Sequence, residues 1–198
     1  MSDTTIGSAT PVVESAATPA GSTRGELGVS VTEQPVAGAI NLRGHADDPA
    51  FANAVKHALG LAPPTTPNTI ADGDGLEALW LAPTEWLIRC ELSAQVELEN
   101  ALGDTLADQF TAINDVSGYY ATFTVHGRNA RHLLERATPL DIHPRVFGPG
   151  QCAQTVFAQT SAIILPREAE TTRFDLIIRR SAADYAWHYL DDAIRCMD

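Results

Sequence analysis

Few side chains in this sequence combine a reactive type with a constraining neighbourhood, and most of them lie between residues 115 and 155. His143 and Arg145 stand two residues apart in a stretch that also holds Pro139, Pro144, Pro149, Gly148 and Gly150. An imidazole and a guanidinium in a stiff loop can grip a carboxylate or phosphate, or can contact another protein. The simpler alternative is that Arg145 pairs with a nearby carboxylate such as Asp141 and locks the loop. Cys152, just beyond, offers a thiol. Ser117 follows Asp115, but no nucleophile-elbow sequence surrounds it, and it reads as a hydrogen-bonding turn residue. The six histidines are scattered without the helical spacing of a zinc site. No glycine-rich dinucleotide or triphosphate loop is present. His143, Arg145, Phe147 and Gln154 are therefore read as contacts to a partner. No catalytic, cofactor-binding or metal-binding residue is assigned to the chain.

The elements that carry these residues follow an order that occurs twice. Ile40 and Leu42 open a short strand ending at Gly44. Asp48 then caps a helix with Pro49 at its first position, and Gly60 stops it. LAPPTTPNT is a rigid connector and ADGDG a turn; 76–81 and 85–90 form a hairpin, and a helix starting at Ser93 carries Leu98, Leu102 and Leu106. The second half brings a strand over 121–127, a helix over 128–137, the proline-rich connector, strands at about 153–165 and 174–179, and a closing helix. Ser181 with Asp184 reads as the capping box of that helix. Gly44 and Gly127 are 83 residues apart and Ser93 and Ser181 are 88 apart, so a five-residue insertion reconciles the halves. Residues 110–116 are a further strand between them. The expected fold is α+β, two tandem ferredoxin-like split β-α-β units over 37–114 and 115–198 that share a core. Residues 1–36, rich in Ser, Thr, Ala, Pro and Gly, read as a flexible tail that a partner could order.

Composition narrows the function further. At 198 residues and 44% hydrophobic, the chain can bury a substantial core. Thirteen Lys and Arg against 25 Asp and Glu give a formal charge of −12, unfavourable for general binding to nucleic acid or anionic membranes. No apolar run is long enough to span a bilayer, and the N-terminus lacks signal-peptide character, which points to the cytoplasm. Three widely spaced cysteines support neither a disulfide framework nor structural zinc.

The motifs RGHADDPAF, LGLAPPTTPN, LWLAPTEWLI and PLDIHPRVFGPGQCAQT, in this order, resemble the gamma subunit of heterotetrameric sarcosine oxidase. The resemblance runs from about residue 41 to 193. It implies a subunit without an active site of its own, in a complex that oxidises sarcosine to glycine and passes the one-carbon unit to tetrahydrofolate or releases formaldehyde. It further implies alpha, beta and delta partner subunits, which would hold FAD, FMN, NAD, zinc and tetrahydrofolate. A wider resemblance links DVSGYYATFTVHGRNARHLL and the following G-x-C-A-Q-T strand to the folate-dependent aminomethyltransferases of the glycine cleavage system. The sequence departs from them at two places. Gly118 stands where that family has histidine, and QTSAIILPREAE lacks the double glycine and the acidic residue after it. This resemblance implies a retained scaffold with its folate site lost. A free-standing tetrahydrofolate-binding aminomethyltransferase-like protein is the alternative.

Overall fold

The computed structural model describes residues 22–24, 28–169 and 172–197, with backbone alone for 22–24. Eleven strands and four α-helices are present among them. In chain order these are β1 (Ser22–Arg24), β2 (Val29–Glu33), β3 (Gly38–Arg43), α1 (Pro49–Leu59), β4 (Ile70–Gly73), β5 (Leu76–Ala82), β6 (Glu85–Cys90) and α2 (Gln95–Thr105). There follow β7 (Ala112–Asp115), β8 (Tyr120–His126), α3 (Ala130–Glu135), β9 (Ala153–Phe157), β10 (Thr160–Pro166), β11 (Arg173–Arg179) and α4 (Ala183–Arg195).

The strands form two antiparallel sheets, ordered β4-β5-β6-β3-β7 and β1-β2-β8-β11-β10-β9. Taking β3, β5, β6 and β7 as strands one to four, the first sheet runs 2-3-1-4, the split β-α-β order. The second sheet repeats it with β8, β10 and β11 as strands one to three. Its fourth place is filled by β2, which precedes the first unit in the chain. The duplicated α+β fold is as expected, but the tail assignment is corrected here. Residues 29–33 are a sheet strand with Val29 and Val31 buried, and Val31 lies opposite Val125. Two valines in an alternating VSVTE segment suffice once β8 offers an open edge. Residues 22–24 of the expected tail also pair with β2, as β1, while 1–21 and 25–27 lie outside the described residues.

Alternation along the strands divides the core into three. Ile40, Leu42, Ala78, Trp86 and Ile88 pack with Phe51, Val55 and Leu102 beneath α1 and α2. Phe123, Ile164, Phe174, Leu176 and Ile178 pack with Leu133, Trp187, Leu190 and Ile194 beneath α3 and α4. The opposite sheet faces meet through Ala39, Leu79, Leu81 and Leu87 from one unit and Cys152, Ile163, Leu165 and Ile177 from the other. The molecule thus has helices outside and two sheets face to face inside, a seam that side chains of period two from both units create.

Several local expectations change. Residues 153–165 are not one strand but the hairpin β9–β10, turned at Ala158 and Gln159, with Ala158 at φ 50°. The matching hairpin β4–β5 turns on Asp74 and Gly75, also at positive φ, so residues 71–73 of the supposed turn belong to an edge strand that begins at Ile70. Without Gly or Asn at the second turn, its sequence gave no turn signal. Ser181 caps nothing: a 3-10 turn over Arg180–Ala182 leads into α4, and no side chain caps it. Leu92–Ala94 does the same ahead of α2, so both units replace a side-chain cap by a tightened first turn. Gly44 and Gly127 do match. A Cβ on Gly44 would lie 2.2 Å from the Phe51 ring, and one on Gly127 would lie 2.2 Å from the Gly28 carbonyl oxygen.

Candidate functional site: the proline-rich loop and the seam between the units

The loop after α3 is shaped by its own polar groups. Asp141 accepts a hydrogen bond from the His143 backbone N–H at 3.0 Å, and His143 Nδ1 accepts one from the Arg145 N–H at 3.3 Å. The His143 carbonyl accepts from both Val146 and Phe147 N–H groups at 3.0 Å. Gln151 Oε1 accepts from the Gly148 N–H at 2.8 Å. Asp141 is thus used by the backbone; the expected side-chain pairing with Arg145 is replaced by a turn. His143, Arg145 and Val146 point outward, Val146 being 52% exposed. One of the four residues read as partner contacts behaves otherwise. Phe147 is 5% exposed and belongs to the core under α3 and α4. Gln154 stays exposed on edge strand β9, and its amide donates to the Leu81 carbonyl at 2.8 Å.

The two connectors meet. The Ile70 N–H donates to the Gly150 carbonyl at 2.8 Å, and the Cys152 N–H donates to the Asn68 carbonyl at 2.9 Å. LAPPTTPNT and the proline-rich loop, placed alike in the two halves, are joined in space by a short antiparallel bridge. Cys152 sits directly under it, its Sγ within 3.5 Å of the Trp80 carbonyl oxygen. Burial pushes its thiol up to about 11, away from the thiolate form that a nucleophile needs. Ser117 is also committed. Its hydroxyl donates to Asp115 at 2.6 Å and accepts from the Ala39 N–H at 2.9 Å, tying β3 to the start of the second unit.

The largest polar cluster was missed at the sequence level because its members come from both units. Arg167 binds Glu77 with two nitrogens and Asp175 with a third, the last at 2.6 Å. Arg89 donates to Glu77 at 3.2 Å and to the Thr122 hydroxyl at 3.2 Å, while Thr124 donates to Asp175 at 2.6 Å. Burial opposes the charge on Arg167, but hydrogen bonds and attraction from Glu77, then Asp175, outweigh it and hold the guanidinium above its ordinary value. For Arg89 burial dominates and lowers it. Glu77 and Arg89 reach the wall of an open cleft of about 520 Å³, lined otherwise by Pro35–Ala37, Gly75 and the 90–93 segment. Each carboxylate in the cluster already holds an arginine, so the arrangement fastens the sheets together and presents no spare base. Among the described residues, no buried side-chain polar atom lacks a partner and no group of three or more His, Cys, Asp or Glu could hold a metal. No described helix is long and apolar enough to cross a membrane.

The model of the family described as sarcosine oxidase, gamma subunit, matches residues 43–195, both connectors included. The chain belongs to that family. A sarcosine oxidase subunit gamma from Corynebacterium sp. (strain P-1) is 29% identical over 175 residues, 88% of this chain and 83% of the relative. One from Arthrobacter sp. is 30% identical over 144 residues, 71% and 68% of the respective chains. A chain in the structure of heterotetrameric sarcosine oxidase from Corynebacterium sp. U-96 in complex with pyrrole 2-carboxylate superposes with a TM-score of 0.78 at 24% identity, covering 85% of each. Aminomethyltransferase T of the glycine cleavage system from Bartonella henselae shares the fold, with a TM-score of 0.60 at 12% identity over 82% of this chain and 45% of its own. The scaffold of this family member is therefore aminomethyltransferase-like.

Proposed function

We propose that this chain is the non-catalytic gamma subunit of a heterotetrameric sarcosine oxidase, assembled in the cytoplasm with alpha, beta and delta subunits. FAD, FMN, NAD, zinc and tetrahydrofolate belong to those other subunits in this reading. The observation that carries it is the family match across residues 43–195. The seam is consistent with a scaffolding role, because its charged groups are spent on one another. His143, Arg145 and Val146 are the partner-facing part of the proline-rich loop. A loop pre-shaped by its own turn docks with little ordering cost. Phe147 supports that loop from within, and Gln154 is exposed on the neighbouring edge strand β9 as a further contact to a partner.

Co-expression of the tagged chain with the companion subunits tests the proposal. Flavin absorbance should elute with the tag, sarcosine-dependent oxygen uptake should accompany the assembly, and the isolated chain should show neither. A tagged chain that emerges as a flavin-free monomer from that co-expression would overturn it. The alternative of a free-standing folate protein predicts saturable quenching of Trp80, Trp86 or Trp187 fluorescence by a reduced folate. With Gly118 in place of the histidine, and without the acidic partner for the pterin, no such quenching is expected.

A further inference from the structure

We infer that the outward side of α2 and the loop after it form a second docking surface, which inserts Phe110 into an apolar depression rimmed by Lys and Arg on a flavin-bearing subunit. This rests on the gamma-subunit reading above. Phe110 is 96% exposed, in a loop that leaves α2 through a turn closed by the Gln109 N–H donating to the Leu106 carbonyl. An aromatic ring left wholly in water is costly to keep exposed, and rings of this kind anchor interfaces. It borders a shallow hollow of about 230 Å³ formed with Arg43, His45, Thr84 and Ala112.

The neighbouring helix face has the same character. Leu98, Leu102 and Leu106 turn α2 toward the core. Val96, Asn100 and Gly103 lie on the opposite side at helical spacing, and Val96 is 62% exposed. A Cβ on Gly103 would meet nothing within 4 Å. No neighbour within the chain requires a glycine there, although glycine weakens a helix interior. A partner backbone lying close to the helix would require it.

Charge identifies the kind of partner. Between Arg89 and Arg128 the chain has no Lys or Arg, and Glu97, Asp104 and Asp108 are exposed along this helix and loop. Two such faces would repel each other, which disfavours a second copy of the chain. A basic rim around an apolar depression complements the face and would speed association.

The test uses the co-expressed assembly, with flavin retained on the tagged chain as the readout. Phe110→Asp and Gly103→Leu should each reduce retained flavin at least tenfold. Both should leave the thermal midpoint of the isolated chain unchanged or, for Gly103→Leu, raised. Asp104→Lys with Asp108→Lys should slow association, and the effect should shrink as salt rises from about 0.05 to about 0.5 M. If wild type retains flavin and both Phe110→Asp and Gly103→Leu retain it equally, the surface is wrong while the gamma-subunit reading stands. If the isolated chain sediments as a dimer that Phe110→Asp dissociates, the occupant is a second copy and the inference is overturned. If wild type itself retains no flavin, both fall together.

Discussion

Cys152 illustrates how position decides the chemistry of a side chain. Its sequence neighbourhood permitted a reactive thiol, yet it lies buried beneath the bridge between the connectors. Its pKa is raised in the folded state from 9.0 to about 11, so folding favours the protonated thiol. The stability this contributes is present below pH 9 and is lost as pH rises toward 11. Cys152→Ala should therefore flatten the alkaline arm of a stability-versus-pH curve measured by urea denaturation. Burial raises Cys90 and Tyr120 as well, and they keep the remainder of the slope. Thiol labelling of the native protein at pH 8 should modify exposed Cys196 first and leave Cys152 unmodified until unfolding. At the same scale, alternation made the burial of the core valines and leucines legible, but not the fate of Phe147, whose loop has no period to read.

Among the elements, β2 is the one whose role depends most on distant chain. It supplies the fourth strand of the second unit's sheet, and Val31 is 1% exposed against Val125. Val31→Ala should cost about 2 kcal/mol, and Val31→Asp should prevent stable folding, both read from thermal denaturation. Gly127 guards the same junction from the other side. It sits at φ 123°, and an added Cβ would strike the Gly28 carbonyl. Gly127→Ala should destabilise by at least about 2 kcal/mol, whereas Gly73→Ala, on an edge strand with open space around it, should change stability little. Helix starts were the least legible elements: the Ser181 and Asp184 pattern matched a capping box, but a 3-10 turn already satisfies the start of α4.

For the molecule as a whole, the two units are held by an apolar seam with a charged end. Arg167 joins Glu77 of one unit to Asp175 of the other. Arg167→Ala would leave two partly buried carboxylates without their shared counter-ion, an expected loss of about 3 kcal/mol. Glu77→Gln and Arg167→Met, singly and together, should show coupling well above zero in a double-mutant cycle read by denaturation. Fully independent effects would mean that this ion pair does not help to hold the sheets together. Charge-reversing Arg145→Glu in the docking loop should weaken co-purification of the flavin subunits without moving the thermal midpoint of the isolated chain, since its exposed side chain makes no core contact.

Local patterning accounts for the α+β class, the duplicated β-α-β-β-α order, the α1 cap at Asp48 and the equivalence of Gly44 and Gly127. These are written in local periodicity, turn residues and a repeat spacing, none of which needs the rest of the chain. The sequence also carried the motifs that link residues 115–155 to a family whose model the chain matches. Long-range packing is what brings β2 into the sheet of the second unit, bridges the two connectors, and gathers Glu77, Arg89, Arg167 and Asp175. Those outcomes depend on pairings between residues up to 96 apart, as for Ser30 and His126 in the β2–β8 ladder, where the intervening chain leaves no periodic trace. Strand edges and sheet faces choose their partners by shape and burial after the local elements have formed.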